Sequence, residues 1–238
     1  MARFKPLSGG TVLEVGADAD GLAAEVLLAA GAGKVISTNY VPSWPASMIR
    51  GAVELRRADA RDLAATIAPE SVDFVFGIAV LEHIDGLAAF FAGARQVLKP
   101  GGLFCVHGGP IWTSAAGHHV FVKGEKMHYR FGIKEANPVP KWAHLTNTRD
   151  SLAELLIARE VYPPDAEAIA QNIYFSHHVN RVGYATMCET FSASPLNPID
   201  RIEAVFQSPP DDVLAAIERG RYGDQKRYDI SGLTFVAN

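Results

Sequence analysis

Two hydrophobic patterns alternate along the first half of the chain. One is a short apolar run with the length of a buried strand, and the other is apolar at helical spacing, as in segments 21–33 and 85–102. Strands that alternate with helices predict a parallel sheet covered on both faces. Residues 1–107 therefore predict a Rossmann-like core with five βα units. The predicted strands are Thr11–Val15, Lys34–Asn39, Val53–Arg57, Val72–Gly77 and 103–107.

The regular alternation stops after His107. Residues 108–149 contain prolines, glycines, tryptophans and histidines but little periodicity. Helical and strand patterns then return towards the end of the chain. They predict helices at 150–160, 164–174, 183–191 and 211–220, and strands at 202–206 and 232–237.

These elements predict one α/β domain in three parts. Residues 1–107 form the core, residues 108–198 form a helical and irregular cap inserted after the fifth strand, and residues 199–238 return to the core. The completed sheet is then doubly wound, mostly parallel and seven-stranded. An insertion of this length between strands is more typical of a functional element than of a simple connector.

Composition narrows the classes of protein to consider. The chain has 238 residues, is 48% hydrophobic and carries a net charge of −4, which argues against a broad basic surface for nucleic acid. No apolar stretch reaches the ~18 residues of a membrane span, and residues 1–6 leave no room for a signal peptide before the first strand. Cys105 and Cys188 lie in apolar surroundings without metal-like spacing, so we expect reduced thiols in a cytoplasmic protein. The oligomeric state stays open.

The first turn of the core, in the segment TVLEVGADADG (residues 11–21), is acidic. Dinucleotide enzymes use a glycine-rich turn here to hold a pyrophosphate. Asp18 and Asp20 would repel such an anion by on the order of several kcal/mol at a distance of a few ångströms. A ligand with positive centres fits better. Alternatively, the two carboxylates only cap the following helix.

Four motifs in order carry a resemblance to a known family. They are VLEVG (residues 12–16), ADARDL (58–63), SVDFVFGIAVLEHI (71–84) and RQVLKPGGLFCV (95–106). Together they resemble the class I S-adenosylmethionine-dependent methyltransferases, in particular the small-molecule subgroup with VLE-x-G and LEH motifs. The resemblance covers about the first 107 residues, and residues 230–238 suit the antiparallel last strand of that family.

The resemblance implies S-adenosylmethionine as cofactor and S-adenosylhomocysteine as its product. The sulfonium and ammonium of the cofactor agree with the acidic turn. Glu14 and Gly16 would frame its methionine part, and Asp59 would bind the adenine amino group. The complete set of implied cofactor-binding residues is Glu14, Gly16, Ala17, Asp18, Asn39, Asp59, Ala60 and Ile78.

Two departures from the family pattern leave a second interpretation open. Asn39 stands where the family has an acidic residue for the ribose hydroxyls, and the next glycine of the first loop comes late, at Gly21. The chain is therefore either an active methyltransferase or a catalytically inactive member of the fold that binds a ligand or partner. A nicotinamide-dependent oxidoreductase is a third alternative, which the acidic turn disfavours.

The cap is rich in histidine, since seven of the eight histidines lie between His107 and His178. Methyl transfer to a hydroxyl requires a base, and histidine titrates near neutral pH. We predict His118, His119 or His144 as that base, which makes O-methylation of a small molecule the expected reaction; nitrogen or carbon acceptors are alternatives. We predict no metal site. Alternatively, several of the cap histidines bind a divalent cation. Aromatic residues of the cap either stack on the acceptor or pack the interior: Trp112, Trp142, Tyr129 and Phe131.

Overall fold

A computed structural model describes residues 7–238, so the predicted absence of a signal peptide at residues 1–6 lies outside the described residues. The strands are β1 (Thr11–Val15), β2 (Lys34–Asn39), β3 (Ser47–Arg50), β4 (Val53–Arg57), β5 (Val72–Gly77), β6 (Leu98–Gly108), β7 (Phe121–Lys123), β8 (His128–Arg130), β9 (Pro198–Val205) and β10 (Ile230–Ala237). The helices are α1 (Leu22–Ala29), α2 (Leu87–Val97), α3 (Ala143–Thr146), α4 (Arg149–Ala158), α5 (Pro163–Phe175), α6 (Tyr184–Ser192) and α7 (Asp211–Glu218). Short 3₁₀ helices span Ala60–Ala65, Leu81–His83 and Lys134–Ala136.

The main sheet confirms the predicted Rossmann-like, mostly parallel fold. Its strand order is β3-β4-β2-β1-β5-β6-β10-β9, and the five strands from β4 to β6 are parallel. β10 is antiparallel to β6. After β1 the chain builds the sheet first towards β2 and β4 and then towards β5 and β6. The direction therefore switches between β1 and β5, which is where doubly wound sheets bind their ligands.

The sheet has eight strands rather than the predicted seven. The additional strand is β3, which pairs antiparallel with β4 at the edge of the sheet. All four of its residues are exposed. A strand without a buried face has no apolar alternation, so the sequence pattern did not reveal it.

The contacts of the chain define two compact units. The first contains the described residues up to Gly108, together with Cys188–Ile202 and Leu233–Asn238. Its helix α2 buries Phe90 and Phe91, which lie in one aromatic cluster with Phe104, Phe191 and Phe235 at centroid separations between 4.2 and 6.3 Å.

The second unit contains Gly109–Met187 and Glu203–Gly232. It has a hydrophobic core of its own, in which Trp112, Trp142, Leu152 and Ile169 are at most 1% exposed. The assignment of residues 108–198 as a substrate cap stays a prediction. None of the helices within residues 7–238 combines the length and the apolarity needed to span a membrane.

Candidate functional site

Four loops of the first unit follow the carboxyl ends of neighbouring parallel strands. They come after β1, β2, β4 and β5, and parallel strands end at the same edge of a sheet. We refer to these loops as the switch-point edge, defined by residues 16–21, 39–41, 58–61 and 78–80. All eight residues predicted to bind the cofactor lie there or, in the case of Glu14, on the strand leading to it.

Glu14 is buried at the end of β1. Its carboxylate accepts a hydrogen bond from the Ser37 hydroxyl at 2.5 Å. Burial raises the pKa of Glu14, and the nearby Asp18 carboxylate adds to that rise, whereas the bond from Ser37 opposes it. The influence of Asp18 shows that these two carboxylates form one acidic region.

Gly16 has a structural reason to be glycine. Its φ of +77° lies in the left-handed region. A Cβ at this position would also come within 2.6 Å of Val80 Cγ2, in the loop that follows β5. The loops after β1 and β5 therefore pack directly against each other, which fixes the shape of the switch-point edge.

Asn39 joins the loop after β1 to the loop after β2. Its side-chain N–H donates to the Ala17 carbonyl at 2.8 Å, and its side-chain oxygen accepts from the Val41 N–H at 3.1 Å. A carboxylate could not donate to Ala17. This explains the departure from the acidic residue of the family, because the amide closes a contact between two loops.

The aspartates of the first loop are exposed, and neither caps helix α1. The N-cap of α1 is Gly21, which has no side chain to cap the first turn of the helix. Asp18 instead accepts from the Gly21 N–H at 2.8 Å and closes the turn before the helix. The helix-capping alternative is therefore wrong, and both carboxylates are presented to solvent at the switch-point edge.

Asp59 follows β4, and its carboxylate contacts both the backbone and the side chain of Arg61. It accepts from the Arg61 N–H at 2.9 Å, which caps the 3₁₀ helix Ala60–Ala65, and it forms an ion pair with the Arg61 guanidinium at 2.6 Å. These hydrogen bonds from Arg61 lower the pKa of Asp59, so the carboxylate is charged at neutral pH. Sequence reasoning missed Arg61, and it missed Tyr40, which directly follows β2 and is 64% exposed.

The loop after β5 is held by a histidine that sequence reasoning did not assign to the site. His107, near the end of β6, accepts from the Ala79 N–H at 3.4 Å through Nδ1, and its carbonyl accepts from the Val80 N–H at 3.1 Å. Ala79 has a positive φ of 52°. Beside it, Ile78 is 59% exposed and presents an apolar side chain at the edge.

The three histidines predicted as bases all lie in the second unit, and all are at most 2% exposed. Their hydrogen bonds indicate which ring nitrogens carry a proton. His118 Nδ1 accepts from the Val120 N–H at 3.2 Å, which leaves the proton on Nε2. His119 Nδ1 lies 2.9 Å from the Gly117 carbonyl and must donate to it, so Nδ1 carries a proton.

His144 is the most deeply buried of the three. Its Nε2 donates to the Trp112 carbonyl at 2.7 Å, and its Nδ1 has no hydrogen-bond partner within residues 7–238. Burial is the main cause that lowers its pKa to about 4. Burial also holds the pKa of His118 well below its usual range. Both rings are therefore neutral at pH 7.

Most of the aromatic residues that were predicted either to stack on the acceptor or to pack the interior are buried in the interior. Trp112, Trp142 and Tyr129 are at most 4% exposed in the core of the second unit. The Trp142 indole N–H donates to the Tyr228 carbonyl at 3.2 Å. Only Phe131 among the four is partly exposed.

The match to a known family falls on this region of the chain. Residues 13–106 match the family model described as a methyltransferase domain. They include the acidic first loop, Asn39, the Asp59–Arg61 pair and the loop held by His107. This segment, residues 13–106, is a methyltransferase domain of the class I, S-adenosylmethionine-dependent type. The resemblance seen in the sequence is thereby confirmed.

Solved structures show the same fold along the whole chain. An S-adenosylmethionine-dependent methyltransferase from Mesorhizobium loti is 17% identical with a TM-score of 0.54, covering 99% of this chain and 94% of that one. A putative S-adenosylmethionine-dependent methyltransferase from Listeria monocytogenes is 14% identical with a TM-score of 0.52, covering 98% and 92%. A geranyl diphosphate methyltransferase, in complex with geranyl diphosphate and sinefungin, is 11% identical with a TM-score of 0.54, covering 100% and 75%. No curated relative matches the sequence.

The charges at the switch-point edge fit S-adenosylmethionine, the cofactor of this domain. Asp18, Asp20 and Asp59 are acidic, Glu14 lies behind them, and Arg61 is the basic partner of Asp59. This excess of carboxylate suits a ligand with a sulfonium and an ammonium group. It would repel the pyrophosphate of a dinucleotide, which argues against the oxidoreductase alternative.

Proposed function

We propose that the protein transfers a methyl group from S-adenosylmethionine to an oxygen atom of a small molecule. One observation carries the proposal: the segment that matches the methyltransferase domain contains the acidic switch-point edge. The net charge of −4 supports a small acceptor rather than a nucleic acid. Cys105 and Cys188 form no disulfide within residues 7–238, which supports a reducing compartment, the cytoplasm.

In this proposal the cofactor lies along the switch-point edge and supplies a methyl group on a positively charged sulfur. Glu14, Gly16, Ala17 and Asp18 bind its methionine end. Asp18 combines a charge with a fixed position, because its hydrogen bond to the Gly21 N–H holds the carboxylate in one orientation. Electrostatic attraction to the ammonium group then requires little reorganisation of the loop.

The other end of the cofactor is bound by the loops after β2, β4 and β5. Asn39 uses one N–H for Ala17, and its amide nitrogen carries a second hydrogen for a ribose oxygen. Asp59 and the Ala60 N–H bind the adenine. Ile78 packs against the methionine chain, where its exposed side chain gains a partner.

The base that takes the acceptor proton is one of the three buried histidines. A base needs a lone pair, and the hydrogen bond that His144 donates through Nε2 leaves one on its Nδ1. The Nδ1 of His118 already accepts from Val120, so this residue serves less well. We therefore rank His144 above His118, since removal of a proton from a hydroxyl requires an available acceptor nitrogen.

The alternative of a catalytically inactive, ligand-binding protein is favoured by one observation. Asn39 already bridges two loops, and an amide without a charge holds ribose hydroxyls less strongly than a carboxylate. In that case the fold binds the cofactor or a related ligand weakly and performs no transfer. Measurement of cofactor binding comes first, because an active enzyme requires it.

The test is calorimetric titration of S-adenosylmethionine and S-adenosylhomocysteine into the protein and two variants. We expect micromolar binding to the wild type and a loss of at least about tenfold in Asp59→Ala, equal to about 1.4 kcal/mol. Asp62→Ala is the matched control, because it removes an exposed carboxylate from the same 3₁₀ helix. No binding by the wild type at millimolar ligand would refute the enzyme, and an equal loss in both variants would refute the assigned site.

A further inference from the structure

The second unit contains a pocket that the methyltransferase domain does not account for. Its volume is about 310 Å³, within the range of small-molecule sites. It is lined from two parts of the chain, residues 110–141 and 206–231, all within the second unit. The lining is mostly apolar, with contributions from Phe131, Val139 and Phe206.

A buried hydroxyl without a partner belongs to the lining of this pocket. Ser114 is 3% exposed, and its Oγ makes no hydrogen bond to any residue in the described part of the chain. Leaving such a group unsatisfied costs about 1–3 kcal/mol, so native proteins rarely do so without a reason. A ligand atom at Ser114 would remove this cost.

A second polar group of the lining has a defined hydrogen-bonding role. His118 accepts a backbone N–H through Nδ1 and is neutral, so its Nε2 carries a proton and acts as a donor. The lining therefore offers a hydroxyl and an imidazole N–H from two residues four positions apart. Both can bind an oxygen that accepts hydrogen bonds.

The rim of the pocket has an exposed aromatic side chain. Phe206 is 67% exposed, and the Lys141 ammonium lies 5.4 Å from its ring centroid. Lys141 also donates to the Gln207 side-chain oxygen at 2.5 Å. Asp229, another lining residue, is engaged by Arg227 at 3.0 Å. An apolar ligand would cover Phe206, and the charges of the rim are already engaged with each other or with neutral groups.

We propose that this pocket binds an apolar ring compound that presents a neutral oxygen, such as a phenol or ketone, to Ser114 and His118. The apolar walls exclude a strongly hydrated ligand, and the volume limits it to about one or two fused rings. The proposal goes beyond methyl transfer and does not depend on it. Binding at this pocket is a property of the second unit alone.

The test uses 2-naphthol as the probe. Its binding to the wild type and to two serine variants is measured by calorimetry. Ser114→Ala removes the unpartnered hydroxyl of the pocket. Ser194→Ala is the matched control, because its Oγ is also buried without a hydrogen-bond partner among residues 7–238 but lies in the first unit. We expect 2-naphthol to bind the wild type and the control equally, and Ser114→Ala about tenfold more weakly.

Thermal unfolding separates a ligand-binding role from a structural one. If Ser114 serves a ligand, Ser114→Ala keeps or raises the melting temperature in the absence of probe, because no hydrogen bond is lost. A lower melting temperature with unchanged 2-naphthol binding would mean that a buried water satisfies the hydroxyl, and would overturn the proposal. Absence of wild-type binding at millimolar 2-naphthol would overturn it as well.

A third variant tests the location. Ala116→Phe places a ring in the pocket lining and should abolish 2-naphthol binding, whereas its affinity for S-adenosylhomocysteine should equal that of the wild type. Retained probe binding in this variant would refute the location. Since the two ligands are titrated separately, a failure of cofactor binding and a failure of the pocket are distinguishable.

Discussion

At the scale of single residues, the chemistry of His144 depends on a contact that is distant in sequence. Its Nε2 donates to the Trp112 carbonyl, 32 positions away, and this bond determines which nitrogen carries the proton. The sequence predicted three histidines as candidates without an order. An order requires the tautomer of each ring, and the tautomer follows from backbone groups that only the folded chain brings near.

The same holds for the residues proposed to bind the cofactor. Their positions at strand ends followed from the alternation of strands and helices, since β1, β2, β4 and β5 were all predicted. The partnerships of Asn39 with Ala17 and of Asp59 with Arg61 did not follow. A local ion pair two residues apart leaves no periodic signal, whereas a buried strand does.

Burial of His144 predicts a specific dependence of stability on pH. Its pKa of about 4 in the folded protein lies below the ordinary value of about 6.5 in the unfolded chain. As the pH falls from 6.5 to 4, the unfolded chain takes up a proton that the folded protein does not. The free energy of unfolding therefore decreases by about 1.4 kcal/mol per pH unit for this proton.

Urea unfolding between pH 7 and pH 4 measures how the free energy of unfolding depends on the uptake of this proton. His144→Gln should reduce the slope of stability against pH by about one proton relative to the wild type. His177→Gln, at an exposed position, is the control for replacement of a histidine by glutamine. Other titrating groups cancel in the comparison, so equal slopes for His144→Gln and the wild type would contradict the prediction.

At the scale of elements, one buried carboxylate connects helix α5 to the β7–β8 hairpin. Asp165, 1% exposed, accepts from the backbone N–H groups of Glu125 and Lys126 at 2.6 and 3.1 Å and from the Tyr129 hydroxyl at 2.9 Å. Burial raises the pKa of Asp165, but these three donors outweigh it and the net pKa is lowered. Its stabilisation is thus present above the pKa of an unfolded aspartate and is lost as the pH falls.

Removal of this carboxylate should destabilise the second unit. Asp165→Ala leaves two backbone N–H groups and a phenol without their acceptor, so we expect a loss of about 3 kcal/mol in the free energy of unfolding at pH 7. Glu167→Ala is the control on the same helix, since this half-exposed residue forms an ion pair with Arg149 and its removal should cost less than about 1 kcal/mol. Similar losses in both variants, measured by urea unfolding, would contradict the role of Asp165.

Most helices and strands could be predicted because the residues that they bury form a regular pattern along the sequence. β1 is buried along nearly its whole length and reads as a continuous apolar run, while α2 buries one stripe. The start of β6 was missed. Leu98 already pairs with Val72, and the register then shifts so that Leu103 pairs with Phe74. The intervening Lys-Pro-Gly-Gly segment resembles a helix end, although it is an irregularity within a strand.

At the scale of the whole molecule, the two compact units should respond to different ligands. The first contains the switch-point edge and the second contains the pocket of Ser114 and His118. A ligand at 100 times its Kd stabilises the state that binds it by about 2.7 kcal/mol, which slows exchange through openings of that state about 100-fold. Each site contains hydrogen-bonded amides that report such openings.

Hydrogen–deuterium exchange with mass spectrometry can therefore map the ligands. S-adenosylhomocysteine should slow exchange at Gly16 and Ala17, whose N–H groups donate to the Thr38 carbonyl at 3.0 and 2.9 Å. 2-Naphthol should slow exchange at Gly117 and Val120, whose N–H groups donate to the Ser114 carbonyl and to His118 Nδ1. Unchanged exchange at Gly16 and Ala17 under saturating S-adenosylhomocysteine would place the cofactor elsewhere. Protection by 2-naphthol confined to the first unit would likewise refute a pocket formed by the second.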